Sequence, residues 1–210
     1  MHLRTIVKQI LPAMLVVFFL VSASRIFAQV VPAARERGIP LSVGIGLSDM
    51  DLDYGKDTDA SERRMFGMAA WVNFDVPYTP KVLTGLGLDF EGKDINYLKS
   101  SELVRMRQDT WGGGPIYTYR HFQNFQPYVK FLIGTGSIDF PAPAIAPNYK
   151  HDTRTVYAPG GGLQYRAFRS LWVRGDYEYQ WWPMIFGAHH LDPNGYTFGV
   201  FYDFRRRNSP

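Results

Sequence analysis

Leu171-Trp172-Val173-Arg174-Gly175-Asp176-Tyr177-Glu178-Tyr179-Gln180-Trp181 is the stretch that decides how this chain is read. One parity runs Leu171, Val173, Gly175, Tyr177, Tyr179; the other runs Trp172, Arg174, Asp176, Glu178, Gln180. Successive side chains of a strand point to opposite faces. The segment therefore has an apolar, aromatic face and a face with three charges in a row. The last apolar segment repeats the pattern, with Tyr196, Phe198, Val200, Tyr202 and Phe204 on one side and Thr197, Gly199, Asp203 and Arg205 on the other or at its end. A small sheet that is apolar outside and charged inside satisfies the demands of a barrel in a bilayer.

Working outward from these two segments, eight strands are predicted: Leu41–Tyr54, Arg64–Asp75, Lys81–Glu91, Leu103–Arg120, Pro127–Ile138, Thr155–Arg166, Leu171–Trp181 and Tyr196–Arg205. Phe66, Met68, Ala70, Val72 and Phe74 share a face, as do Val82, Thr84, Leu86, Leu88 and Phe90. The connections at 55–63, 92–102, 139–153 and 182–195 read as long, and those at 76–80, 121–126 and 167–170 as short. That alternation is the asymmetry of a membrane barrel with long outer loops and short inner turns. A soluble barrel would carry the same periodicity with its faces reversed. Against it stand the small residues Ser42, Gly44, Gly46 and Ser48 on the polar face of the first strand, suited to a cramped interior. Aromatic residues also gather near strand ends (Phe66, Phe74, Phe90, Tyr117, Tyr119, Tyr165, Tyr179, Tyr196, Phe204), where interfacial girdles lie. The expected fold class is all-β, an eight-stranded antiparallel up-and-down transmembrane β-barrel.

The N-terminus reads as an export leader. His2, Arg4 and Lys8 precede an apolar run from Ile10 to Val21, followed by Ser22, Ala23 and Ser24, the three-part pattern of a signal peptide. The expected cleavage follows Ala28, with Ser24 as the alternative. Expected organisation is a signal peptide over 1–28, an N-terminal leader over 29–39, the barrel over 40–205 and a short basic tail over 206–210. The whole chain carries 23 Lys and Arg against 19 Asp and Glu. Removing Arg4, Lys8 and Arg25 with the leader leaves 20 basic residues against 19 acidic ones, so no nucleic-acid footprint remains. There is no cysteine.

Two glycine runs form a faint repeat. Gly112-Gly113-Gly114-Pro115-Ile116-Tyr117 matches Gly160-Gly161-Gly162-Leu163-Gln164-Tyr165, each leading toward a short turn. No Gly-Lys-Ser/Thr follows, so neither is a phosphate loop; curvature and close packing in a narrow barrel explain them better. With the export leader, the eight strands and the final Gly195-Tyr-Thr-Phe-Gly-Val-Phe-Tyr-Asp-Phe204, the chain resembles the outer-membrane β-barrel family of OmpA-like and OmpX-like proteins. The resemblance departs at the end, where Arg205–Pro210 follow the terminal aromatic residue. It implies the outer membrane of a Gram-negative-type cell envelope, both termini on the periplasmic side, and contact with outer-membrane lipid, lipopolysaccharide and the barrel-insertion machinery. It further implies a monomeric, non-enzymatic scaffold that presents four extracellular loops for adhesion or partner contact. A small pore and an outer-leaflet lipid A-modifying enzyme are the rival readings. No cofactor and no nucleic-acid partner is expected.

The polar face of the seventh strand is the best-defined constellation. Arg174, Asp176 and Glu178 are expected in the lumen, with Asp89, Glu91, Lys130, Gln164, Arg166, Asp203 and Arg205 as partners. Charges in a narrow lumen must pair or hold water, so an interlocking ionic plug is expected. Asp176 and Glu178 lie roughly 7 Å apart along a strand, a carboxylate separation used in glycoside hydrolysis, but a plugged barrel offers no cleft. His189-His190 lacks a hydroxyl two places on, since Leu191 and Asp192 stand there, so no nucleophile accompanies it. Asp49, Asp51, Asp53, Asp57 and Asp59 approach the spacing of a calcium loop, yet Tyr54 and Ala60 occupy its Gly and Glu positions. No catalytic, cofactor or metal residue is assigned.

Overall fold

The computed structural model describes residues 39–53, 64–76, 84–97, 106–139, 151–185 and 189–205. The expected leader with its cleavage site at Ala28, the tail 206–210, and Asp57 and Asp59 lie outside the described residues.

Strands β1 (Leu41–Asp51), β2 (Arg64–Asp75), β3 (Leu86–Tyr97), β4 (Arg107–Thr118), β5 (Phe125–Asp139), β6 (His151–Phe168), β7 (Leu171–Tyr179) and β10 (Asn194–Asp203) close into a barrel. Every neighbouring pair is antiparallel. β1 and β10 seal it over ten paired positions, from Ser42 opposite Asp203 to Asp51 opposite Asn194. Closure leaves no strand edge unpaired, which a sheet in hydrocarbon requires. Between β7 and β10 the chain adds a small hairpin, β8 (Trp182–Ile185) with β9 (His189–Leu191).

Alternation sorts the side chains. On β2, Met65, Ala69, Trp71 and Asn73 are buried while Phe66, Met68, Val72 and Phe74 are exposed. Ile45, Phe90, Val129, Ile133, Phe198 and Val200 extend that outward apolar surface; Val129 is 62% and Phe198 64% exposed. Polar groups occupy the interior: Asp89 and Arg174 have no exposed surface at all. This is the reverse of a soluble barrel.

Most strand ends shift by one to four residues from the sequence expectation, and two departures are larger. The third strand runs Leu86–Tyr97 instead of Lys81–Glu91, so Leu86 begins a strand. Gly92, Lys93 and Asp94 look like a polar loop, yet Lys93 points into the lumen, where a charge is at home. The connection 76–85 is consequently no shorter than 98–106, and strict alternation of long and short connections fails at the first turn. The loop expected over 182–195 holds the β8–β9 hairpin, whose Trp182 and Ile185 turn inward. One end of the barrel carries the connections 52–63, 98–106, 140–150 and 180–193 and is called the loop end. The other carries 76–85, 119–124 and 169–170 and is called the turn end.

Candidate functional site: an ion-paired lumen

The inward face of β7 climbs the barrel as Trp172, Arg174, Asp176, Glu178 and Gln180, and Trp182 continues the column. It passes through three storeys. Near the turn end, Trp172 stacks on Phe201 at 5.9 Å between ring centroids, beside Ala69 and Trp71. Near the loop end lies an apolar storey of Met50, Leu52, Met65, Ile95, Met106, Ile138 and Val156, capped by Trp182 and Ile185 of the hairpin. Charge fills the space between.

Arg174 is the lower hub of that middle storey. Its Nε donates to Asp176 Oδ2 at 2.8 Å and to Tyr128 Oη at 2.6 Å. Its Nη2 reaches Glu91 at 3.1 Å and Asp89 at 3.3 Å. The guanidinium also lies 4.7 Å from the Trp71 ring centroid and 4.8 Å from that of Tyr128. A desolvated cation between two rings gains from both quadrupoles. Tyr128 passes the contact on, donating from Oη to Asp176 Oδ2 at 2.6 Å.

Lys130 is the second hub. Its ammonium lies 2.6 Å from Glu91, 2.8 Å from Glu178 and 3.5 Å from Asp176. Carboxylate oxygens of those three acids converge within 4.8 Å of one another, a spacing that could hold a metal ion. Here the lysine ammonium occupies the centre instead. Lys93 bridges Glu178 at 2.6 Å and Glu91 at 3.1 Å. Glu178 accepts from Gln180 Nε2, and Gln180 Oε1 accepts from Trp182 Nε1 and Gln108 Nε2, each at 2.9 Å. Hydrogen bonds thus run unbroken from the apolar cap to the ionic hub. A cavity of about 20 Å³ bordered by Glu91, Lys93, Glu178 and Gln180 has room for about one water.

The glycine repeat creates the space for this convergence. The network's charged members come from β3, β5 and β7, never from β4 or β6. On β4, Gly112 faces Glu91 and Gly114 faces Asp89 across the ladder. On β6, Gly160 lies between Lys130 and Glu178, and Gly162 between Tyr128 and Asp176. A Cβ at Gly162 would come within 2.1 Å of the Gly175 carbonyl oxygen and 2.6 Å of Asp176 Cβ. With side chains absent at these four positions, alternate strands interact over the top of them.

The expected lumen residues do not all meet. Arg174, Asp176, Glu178, Asp89, Glu91 and Lys130 form one cluster. Gln164 is buried opposite Arg174 in the ladder. Asp203 and Arg205 belong to a separate group at the turn end, where Arg205 holds Asp203 at 2.7 Å and Asp75 at 2.5 Å, and Arg120 also pairs with Asp75. Burial lowers the pKa of Arg120 from its ordinary value, and the neighbouring Arg205 cation adds to the effect. Arg166 is a correction: it sits opposite Trp172 at the last regular pair of β6 and β7, at the turn end, where its Nε donates to Asn124 Oδ1 at 3.1 Å at the rim and not to the cluster. Lys93, Tyr128 and Trp71 are members not assigned from the sequence.

At the loop end the ion pairs are partly exposed. Asp49 binds Arg64 through both carboxylate oxygens, at 3.0 and 3.1 Å from Nε. Asp51 Oδ1 accepts the Asp53 N–H, and Asp53 Oδ2 the Asp192 N–H. These aspartates fasten the rim to the last connection. Arg107 with Asp94 and Asp109, and His151 with Asp139, add pairs worth at most about 1 kcal/mol each. His189 and His190 are exposed, His190 lying 3.7 Å from Asp192.

A family model described as an outer membrane protein beta-barrel domain matches residues 13–204. Among solved structures, Neisserial surface protein A superposes with a TM-score of 0.54 at 11% identity, covering 78% of this chain and 96% of that one. Ail, the attachment invasion locus protein of Yersinia pestis, solved with the heparin analogue sucrose octasulfate, gives 0.52 at 18% identity, covering 80% and 99%. No curated protein matches the sequence.

Proposed function

Since the chain belongs to the outer membrane protein beta-barrel domain family, we propose that it is a non-conducting outer-membrane scaffold whose task is carried by the loop end. The filled lumen carries this reading. Three cations and four carboxylates interlock across it, an apolar storey lies above, and a hairpin covers the top. Eight-stranded barrels are wide enough for side chains and little else, and here the cavity beside Glu91, Lys93, Glu178 and Gln180 holds about one water's volume. Transport or catalysis inside such a lumen would first have to dismantle it.

In this reading the loop end faces the cell exterior and both chain ends lie in the periplasm, the leader having been removed on export. The four loops contact partners at the surface, in the class of adhesion or docking. Planar-bilayer recording of the refolded protein tests the sealed lumen: only rare, small current steps are expected. A large, stable conductance would replace the scaffold with a pore. Photocrosslinking from loop positions such as Asn148 on intact cells tests the second half, with discrete adducts expected there and none from Arg169. Adducts from Arg169 alone would invert the orientation. Lipid A mass spectra that change on expression would move the reading to a lipid enzyme.

A further inference from the structure

At the turn end an aromatic cluster on the outer wall meets positive charge at the rim. Tyr119 stacks against His121 at 5.8 Å, His121 meets Phe122 edge-on at 5.7 Å, and Phe122 leads to Phe125 at 6.4 Å. Tyr165, opposite Phe125 in the ladder, and Phe168 extend the cluster along β6. All these rings are exposed, Phe168 to 68%. They run on from the outward apolar residues Val129, Leu163, Leu171 and Val173, so they continue the lipid-facing surface to its polar boundary. Rings with an apolar body and a polar neighbour favour that boundary.

The charge beside them has one sign. Residues 119–125 and 165–171 contain Arg120, Arg166, Arg169 and His121, and no carboxylate. The turn-end acids Asp75 and Asp203 are already engaged by Arg120 and Arg205. Arg166 is held by a neutral partner, Asn124, through both its side chain and its backbone N–H. Arg169 lies over the Phe168 ring at 6.0 Å and is exposed. Guanidinium groups bind phosphate through paired N–H donors.

We propose that this lip is a binding site for the headgroup of an anionic glycerophospholipid. Arg166 and Arg169 hold the phosphate, and the acyl chains lie along Phe125, Tyr165 and Phe168. The site stands apart from the loop partner, and it needs only that the outward apolar surface meets lipid.

The test uses the full mature chain in nanodiscs of mixed phosphatidylcholine and phosphatidylglycerol, with retained lipid counted by native mass spectrometry. Phosphatidylglycerol should be enriched on the protein by roughly fivefold per engaged arginine. Arg166→Gln/Arg169→Gln should abolish the enrichment, and Arg169→Gln, which disturbs no bond to Asn124, should remove most of it in a barrel that is still folded. Arg64→Gln/Arg107→Gln at the opposite rim should leave it unchanged. Soluble glycerol phosphate at millimolar concentration should not compete. No enrichment in the unmodified protein, its survival in the double variant, its loss in the opposite-rim variant, or displacement by glycerol phosphate would each overturn the proposal.

Discussion

The charge count of the middle storey sets up a test in which two neutralisations have opposite consequences. Asp89, Glu91, Asp176 and Glu178 face Lys93, Lys130 and Arg174, all buried, so the ionised cluster has one carboxylate in excess. Asp89 is the least engaged of the four: its ion pair is with Arg174 at 3.3 Å, and Arg174 keeps Asp176 and Glu91 without it. Asp89→Asn removes the excess and preserves shape. The lost attraction is offset by relief of repulsion and of desolvation, so a change within about 1 kcal/mol is expected. Lys130→Met also preserves shape but leaves four carboxylates facing two cations. It strips the central ammonium from Glu91, Glu178 and Asp176, and should cost about 3–5 kcal/mol, the cost of an uncompensated buried charge. Urea titration in lipid vesicles, followed by tryptophan fluorescence and by the mobility shift of the unheated barrel, measures both. Equal losses for the two variants would refute the reasoning, because charge balance would then not be what holds the storey together. A neutral Lys130→Met would show that water reaches the cluster freely.

The outer wall, the cap and the glycine rows give three further expectations. Ile45→Arg, on the exposed apolar face of β1, should cost about 2–4 kcal/mol on folding into vesicles, whereas Ala146→Arg in the third loop should be tolerated; equal tolerance would mean that the apolar wall does not meet lipid. Trp182→Ala should cost about 3–5 kcal/mol and speed hydrogen exchange in the hairpin, at Gln180, whose Oε1 accepts from its indole N–H, and at Gln108, which donates to the same oxygen; unchanged exchange would remove its role as a cap. Gly162→Ala should cost about 1–3 kcal/mol through backbone overlap, and more than Gly175→Ala, whose Cβ would meet the Phe198 ring at 3.1 Å on the outer wall. Circular-dichroism melts in detergent rank the two, and the reverse order would count against the space-making account of β6.

Two-residue alternation carried the fold, because a strand with one face in lipid and one in a lumen prints its period directly in the sequence. Strand placement failed at β3, where Glu91, Gly92, Lys93 and Asp94 have the composition of a loop. Composition cannot separate charge facing water from charge facing a polar interior, and Lys93 was lost for that reason. The β8–β9 hairpin was illegible in Trp182-Pro-Met-Ile185 because four residues show no period. Within the cluster, Arg174, Asp176 and Glu178 were legible as neighbours on one strand. Their cross-barrel partners are not a local property: Glu91 lies 83 residues from Arg174 and Lys93 lies 85 from Glu178. Arg166 has the right parity for the lumen, but it stands at the turn-end limit of β6, within reach of Asn124 in the neighbouring turn, and that height in the barrel is not printed in the alternation.

Drawing the lumen charges from alternate strands has a kinetic consequence. Before β7 arrives, β3 and β5 contribute Asp89, Glu91, Lys93 and Lys130, two of each sign, and these remain hydrated in an open sheet. Arg174, Asp176 and Glu178 arrive together on β7, and their dehydration coincides with the curling that brings β10 to β1. Barrel closure and loss of lumen water are therefore one event. Contacts spanning more than 80 residues make that event late. Substitutions in the cluster should act mainly on how fast the closed barrel opens, while those on the lipid-facing wall act earlier, on insertion itself.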